Sequence, residues 1–114
     1  ESAELKAESE ELDLLTGSLM QQKRDLEEEF DQIDTMESLA SLYATAYHNC
    51  VQVNGASRCN TERTRGQQLV QRIGNGEVEY NEAHRDWERR ANAYNLRIDK
   101  YNRRANEHDK KCAR

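Results

Sequence analysis

The chain has 114 residues, of which 34% are charged, 35% are hydrophobic and none is proline. A compact globular domain has about 45–50% apolar residues, so this composition excludes a broad hydrophobic core and suits a narrow apolar row. No apolar run approaches the roughly 18 residues that a membrane-spanning helix needs. Because proline is the strongest helix breaker, its absence favours long helices within one domain.

The first half of the chain, residues 1–53, predicts one long amphipathic helix, which we call arm one. Apolar or aromatic residues recur at every seventh position from Leu5 to Tyr47. A repeat of this length is typical of a coiled-coil helix. The residues predicted to pack against a second helix are Leu12, Leu19, Leu26 and Ile33.

The second half, residues 63–114 or arm two, repeats at spacings of four and three without interruption from Tyr80 to Cys112. Large aromatic residues alternate there with smaller ones, and the dipeptide Tyr-Asn recurs at 80, 94 and 101. Such an alternation can interlock with a row of leucines on a facing helix. The residues predicted to face arm one are Tyr80, Trp87, Tyr94, Ile98 and Tyr101.

Residues 54–62 are predicted to form the turn between the arms. Asn54-Gly55 is a typical helix stop, because glycine takes the left-handed conformation after a helix at little cost. Asn60, Thr61 or Thr64 is expected to cap the following helix. The sequence Gly74-Asn75-Gly76 predicts a kink or a short break in arm two, because glycine lowers helix propensity.

The two halves carry opposite charge. Residues 1–53 have 13 acidic and 3 basic residues, whereas residues 54–114 have 9 acidic and 14 basic residues. Opposite charges favour pairing of the two arms with each other. The sequence therefore predicts an all-α, antiparallel helical hairpin centred on residues 56–57. Such a hairpin covers little surface, so we expect a homodimer with a four-helix bundle, in which further contacts involve Leu14, Leu39, Leu42 and Leu69.

The cysteines divide into a pair and a single residue. Cys50 and Cys59 flank the turn, so the hairpin predicts a disulfide between them and an oxidising compartment, the periplasm or the exterior. Two reduced thiols, and with them a cytoplasmic protein, are the alternative. Cys112 is an odd cysteine. It is a candidate for a bond to a second chain, for a free thiol, or for pairing with a cysteine outside the given chain.

The motifs of common chemistry are absent from the sequence. His108 and Cys112 have the spacing of two metal ligands, yet no CxxC or HExxH motif accompanies them. There is no glycine-rich phosphate loop, and a thin hairpin offers no concave pocket in which to activate a nucleophile. The aromatic residues of arm two are expected to be occupied in packing, which argues against stacking on nucleic acid bases. We therefore expect no enzyme, metal, cofactor or nucleic acid partner.

The sequence favours a non-catalytic structural or interaction module, exported or periplasmic, acting as a coiled-coil scaffold or docking arm in an envelope-associated assembly. Its partner is a protein or a second copy, and a membrane anchor could lie outside the given chain. The candidate contact is the tip, residues 51–65, through Arg58, Arg63 and Arg65. The alternative is a helical bundle that binds a metal or hydrophobic ligand through Tyr80, His84, Trp87, Tyr94 and His108.

Overall fold

The computed structural model describes residues 2–112 as two long helices joined by a short turn. Helix α1 is Ser2–Asn54, a 3₁₀ turn is Ala56–Arg58, and helix α2 is Asn60–Cys112. The predicted all-α helical hairpin is confirmed. Contacts divide the chain into two compact units. Unit 1 combines Glu1–Asp25 with His84–Arg114, and unit 2 is Leu26–Ala83.

Helix α1 ends where the sequence predicts, because Gly55 leaves the helical conformation. Its φ is 83° and its ψ is 153°, an extended region that essentially only glycine occupies, so the predicted left-handed conformation is wrong although the glycine is needed. The Gly55 N–H still donates to the Val51 carbonyl at 3.0 Å. The chain therefore turns directly after Asn54 while one of the last helical carbonyls stays hydrogen-bonded.

Helix α2 begins at Asn60, three residues before the predicted start of arm two. The Cys59 carbonyl accepts the first helical hydrogen bond, from the Arg63 N–H at 3.1 Å, so Cys59 is the N-cap. The prediction of Asn60, Thr61 or Thr64 as the cap is wrong. Cys59 takes this place because its side chain is covalently tied to α1.

The packing of unit 2 is centred on the bond between Asn54 and Gly55. A Cβ on Gly66 would contact Tyr43, and one on Gly76 would contact Ile33. Both pairs are symmetric about that bond, two residues before the predicted centre at 56–57. The shorter turn accounts for the difference in register. Leu26 and Ile33 are buried, and the rings of Phe30 and Tyr80 lie 5.8 Å apart.

Helix α2 runs without interruption through Gly74-Asn75-Gly76, so a break at this point is excluded. A Cβ on Gly76 would lie 3.4 Å from Cγ1 of Ile33, which shows how closely the helices approach there. The row that faces α1 therefore includes positions 69, 73, 76 and 80. As a result Leu69 is 8% exposed, so its predicted place in a contact outside the hairpin is wrong. Val70, which would also fit a row with Ile73 and Tyr80, is 63% exposed.

Unit 1 is held by an apolar row and by hydrogen bonds between the helices. Leu12 and Leu19 are buried, and the half-buried residues opposite them include Tyr94, Ile98 and Tyr101. The Trp87 Nε1–H donates to the Leu19 carbonyl at 2.9 Å. The hydroxyls of Tyr94 and Thr16 are also hydrogen-bonded to each other. Aromatic residues on α2 thus satisfy their polar atoms while their rings pack.

Ion pairs join the two helices of unit 1 as the charge pattern predicts. The Arg97 guanidinium lies 2.7 Å from Glu8 and 3.3 Å from Glu11, and Arg104 lies 3.8 Å from Glu4. The hydrogen bond to Glu8 is the main cause that raises the pKa of Arg97 above its ordinary value. Arginine is not deprotonated in proteins, so Arg97 pairs with both carboxylates as a cation.

Substitution of two glycines is expected to change stability in opposite directions. Gly55→Ala forces a side chain into a positive-φ conformation and should lower the free energy of unfolding by about 1–3 kcal/mol. Gly74→Ala meets no atom within 4 Å and should raise it by up to about 1 kcal/mol through helix propensity. Urea denaturation followed by circular dichroism measures both. Equal effects of the two substitutions would contradict the described turn.

Trp87 is expected to be the most sensitive aromatic position in unit 1. Trp87→Phe removes the hydrogen bond to Leu19 and should cost about 0.5–1.5 kcal/mol. Trp87→Ala also removes the ring and should cost about 3 kcal/mol. Leu96→Ala, at a residue that is 70% exposed, is the control and should stay within about 0.5 kcal/mol of the parent chain. Unchanged thermal unfolding of Trp87→Ala would contradict the packing.

Candidate functional site

The tip of the hairpin, residues 51–65, is fixed by a disulfide. Cys50 and Cys59 are bonded, with their Cα atoms 5.9 Å apart, as the sequence predicts. Cys59 is fully buried and Cys50 is half-buried. The bond ties the last turn of α1 to the N-cap of α2. A turn without an apolar core of its own is thereby held in one conformation.

The three tip arginines are all exposed. Arg58 ends the 3₁₀ turn, whereas Arg63 and Arg65 lie in the first turns of α2. The Arg63 guanidinium donates to Oδ1 of Asn60 at 3.1 Å, which orients it along the helix. No aspartate or glutamate occurs between residues 38 and 61. The end of α1 therefore contributes no carboxylate that could neutralise the arginines of the tip.

Two open grooves lie on the surface of unit 2 next to Tyr43, and sequence reasoning missed both. One, of about 460 Å³, is lined by Leu39 and Leu69 together with Arg65 and Arg72. The other, of about 310 Å³, is lined mainly by small and apolar groups: Ala40, Ala44, Tyr47, Gly66 and Val70. In the sequence, Gly66 and Leu69 stand three residues apart, on one side of a helix, and this spacing could have indicated the grooves. Both grooves are open to solvent along one side.

The disulfide also belongs to the cluster in the described chain whose atoms could hold a metal ion. The ligand atoms of Cys50, Cys59 and Glu62 all lie within 4.8 Å of one another. Cysteine binds metals as a thiolate. Because the two sulfurs are bonded to each other, the cluster offers metal-binding thiolates only after reduction.

The opposite end of the chain contains the third cysteine. The exposed Cys112 thiol lies 3.5 Å from Nδ1 of His108. A cavity of about 170 Å³ beside them is lined by charged residues that include Glu4, Arg104 and Lys111. The predicted bond from Cys112 to a second chain stays a prediction.

The residues of the alternative ligand site are engaged in the packing of their units. Tyr80 packs on Phe30 in unit 2. In unit 1, Trp87 donates to Leu19, and Nδ1 of His84 lies 2.7 Å from Glu88. Tyr94 is bonded to Thr16. Each aromatic group of the predicted set thus has a structural partner within its own unit.

In comparisons with known proteins, no family model, curated protein or solved structure gives a significant match to this chain. Over the described residues, neither helix contains a segment that is long and apolar enough to span a bilayer.

Removal of the disulfide is expected to destabilise the protein measurably. A bond that closes a loop of this size contributes about 2.5–3 kcal/mol by restricting the unfolded chain. Cys50→Ser combined with Cys59→Ser should therefore lower the free energy of unfolding by that amount, and a reductant should do the same to the parent chain. Cys112→Ser is the control and should have no effect. Peptide mapping without reduction should recover the Cys50–Cys59 link, and three alkylated thiols would contradict it.

Proposed function

We propose that this protein is a non-catalytic interaction module, a coiled-coil scaffold or docking arm that works in an oxidising compartment such as the periplasm or the cell exterior. The observation that carries the proposal is the combination found at the tip: a turn locked by Cys50 and Cys59 that exposes Arg58, Arg63 and Arg65. A rigid element that presents a short constrained segment is a common arrangement for recognition.

The chemistry of the tip favours an acidic protein surface as the partner. Arginine is enriched in protein interfaces, because its planar guanidinium forms paired hydrogen bonds with carboxylates. Within the tip the three arginines outnumber the one carboxylate, the half-buried Glu62, so the tip presents a net positive charge to such a partner. Charge of this kind governs which partner binds and how fast, more than how tightly.

The disulfide supports the assignment to an oxidising compartment. Disulfides persist in the periplasm and outside cells, whereas cytoplasmic thiols are kept reduced. A long docking arm in this compartment suits an assembly at the cell envelope, and the proposal includes this location.

A photo-reactive residue at the tip tests the proposal. Ser57 is exposed in the 3₁₀ turn, and Asn92 is exposed on α2 in unit 1. In cells that make the protein, a cross-linker at position 57 should trap a discrete product, whereas one at position 92 should not. Charge reversal of Arg58, Arg63 and Arg65 to Glu should abolish the product. Reversal of Arg85, Lys100 and Lys110 is the matched control and should preserve it.

The same experiment reports the compartment. Alkylation of the protein directly in lysed cells should find Cys50 and Cys59 protected until a reductant is added. Alkylated Cys50 and Cys59 together with no product specific to position 57 would overturn the proposed function.

A further inference from the structure

Unit 2 has a second apolar row on α1, distinct from the row that packs against α2. Leu39, Leu42, Ala46 and Val53 follow one another at spacings of three, four and seven, which places them on one side of the helix. We call these four residues the outer stripe. Leu39 is 42% exposed, Leu42 66% and Val53 81%, and Ala46 is exposed as well.

The outer stripe adjoins the groove of unit 2 that Leu39 and Leu69 line with Arg65 and Arg72. The stripe itself lies in the part of α1 that lacks acidic residues. Its surroundings are therefore apolar in the middle and basic at the side. This combination fits an apolar helix that brings carboxylates with it.

The same unit contains a segment with those carboxylates. Residues 27–37, directly before the stripe, have six acidic residues and no basic residue. Over the described residues, the ion pairs between the helices involve Arg97 and Arg104, and none reaches residues 27–37. Unit 2 thus carries an excess of negative charge at one end of the stripe and of positive charge at the other.

We propose that the outer stripe binds the outer stripe of a second copy of this chain, antiparallel and centred on Ala46. The inference rests on the proposed function and specifies its partner. Helix α1 ends at Asn54, and the chain turns back so that the Arg58 carbonyl lies 4.0 Å from Sγ of Cys50. With Ala46 at the centre, an antiparallel contact therefore brings the tip next to Glu37, at the end of the acidic segment of the second copy.

Charge selects this orientation over the parallel one. A parallel contact would set residues 27–37 against the same acidic residues of the second copy, and the tip arginines against each other. Like charges that face each other disfavour an arrangement. The antiparallel contact is also closed, because the same surface is used on both copies, so it gives a dimer and not a filament.

Sedimentation velocity of a Cys112→Ser chain over a range of concentrations tests the contact without interference from that thiol. We expect a dimer whose dissociation constant rises with ionic strength. Leu42→Arg should raise the dissociation constant at least tenfold. Leu96→Arg, at an exposed residue of unit 1, is the control and should leave it unchanged. Circular dichroism verifies that both variants are folded.

Cysteine cross-linking in the same background tests the orientation. Ala46→Cys should form a disulfide between two copies under mild oxidation, because it lies at the centre. Leu39→Cys should not link to itself, yet it should link to Val53→Cys when the two variants are mixed. Peptide mapping distinguishes these bonds from exchange with Cys50 and Cys59.

Three results would overturn the inference: a monomer at all concentrations, a dimer that is insensitive to Leu42→Arg, or self-linked Leu39→Cys. A monomer whose tip still gives the specific product in cells would overturn it and leave the proposed function intact. A stripe-dependent dimer without tip products and with reduced Cys50 and Cys59 would support the inference and remove the proposed function.

Discussion

A single row of aliphatic side chains on α1 is the constraint on which the structure depends. Leu12, Leu19, Leu26 and Ile33 are each 8% exposed or less, and they stand seven residues apart. A long helix with so few apolar residues gains most of its stability from the helix packed along that row. The turn determines which residues of α2 face this row, and it therefore determines the fold.

The row itself could be predicted from the sequence, because a seven-residue repeat determines which side of a helix is covered. The register could not. It depends on the conformation of one glycine and on which residue caps α2, and the capping motifs in the sequence pointed to Asn60, Thr61 and Thr64. Gly55 turns the chain immediately and the disulfide makes Cys59 the cap. Together they move the centre of the hairpin by two residues.

The candidate site, like the packed row, could be predicted only in part from the sequence. Cys50 and Cys59 flank any turn that joins the two arms, so their pairing follows from topology alone. Which of Leu69 and Val70 faces α1 does not follow from a simple repeat, because a row through Val70, Ile73 and Tyr80 fits the periodicity equally well. The structure decides in favour of Leu69 because Gly76 permits close approach to Ile33. A sequence pattern shows which side of one helix is apolar, whereas the close approach of two helices depends on the residues of both.

The use of charge differs between unit 1 and unit 2. In unit 1, carboxylates at Glu8 and Glu4 face arginines of α2. Exposed pairs of this kind contribute about 0–1 kcal/mol each. They therefore favour this pairing of helices over other pairings and add little to the free energy of unfolding. In unit 2 the acidic segment 27–37 and the tip arginines are not used in this way. Leu42 and Val53 are likewise too exposed to stabilise the hairpin. These exposed side chains, with opposite charge at the two ends of the stripe, are the basis of the proposed contact with a second copy.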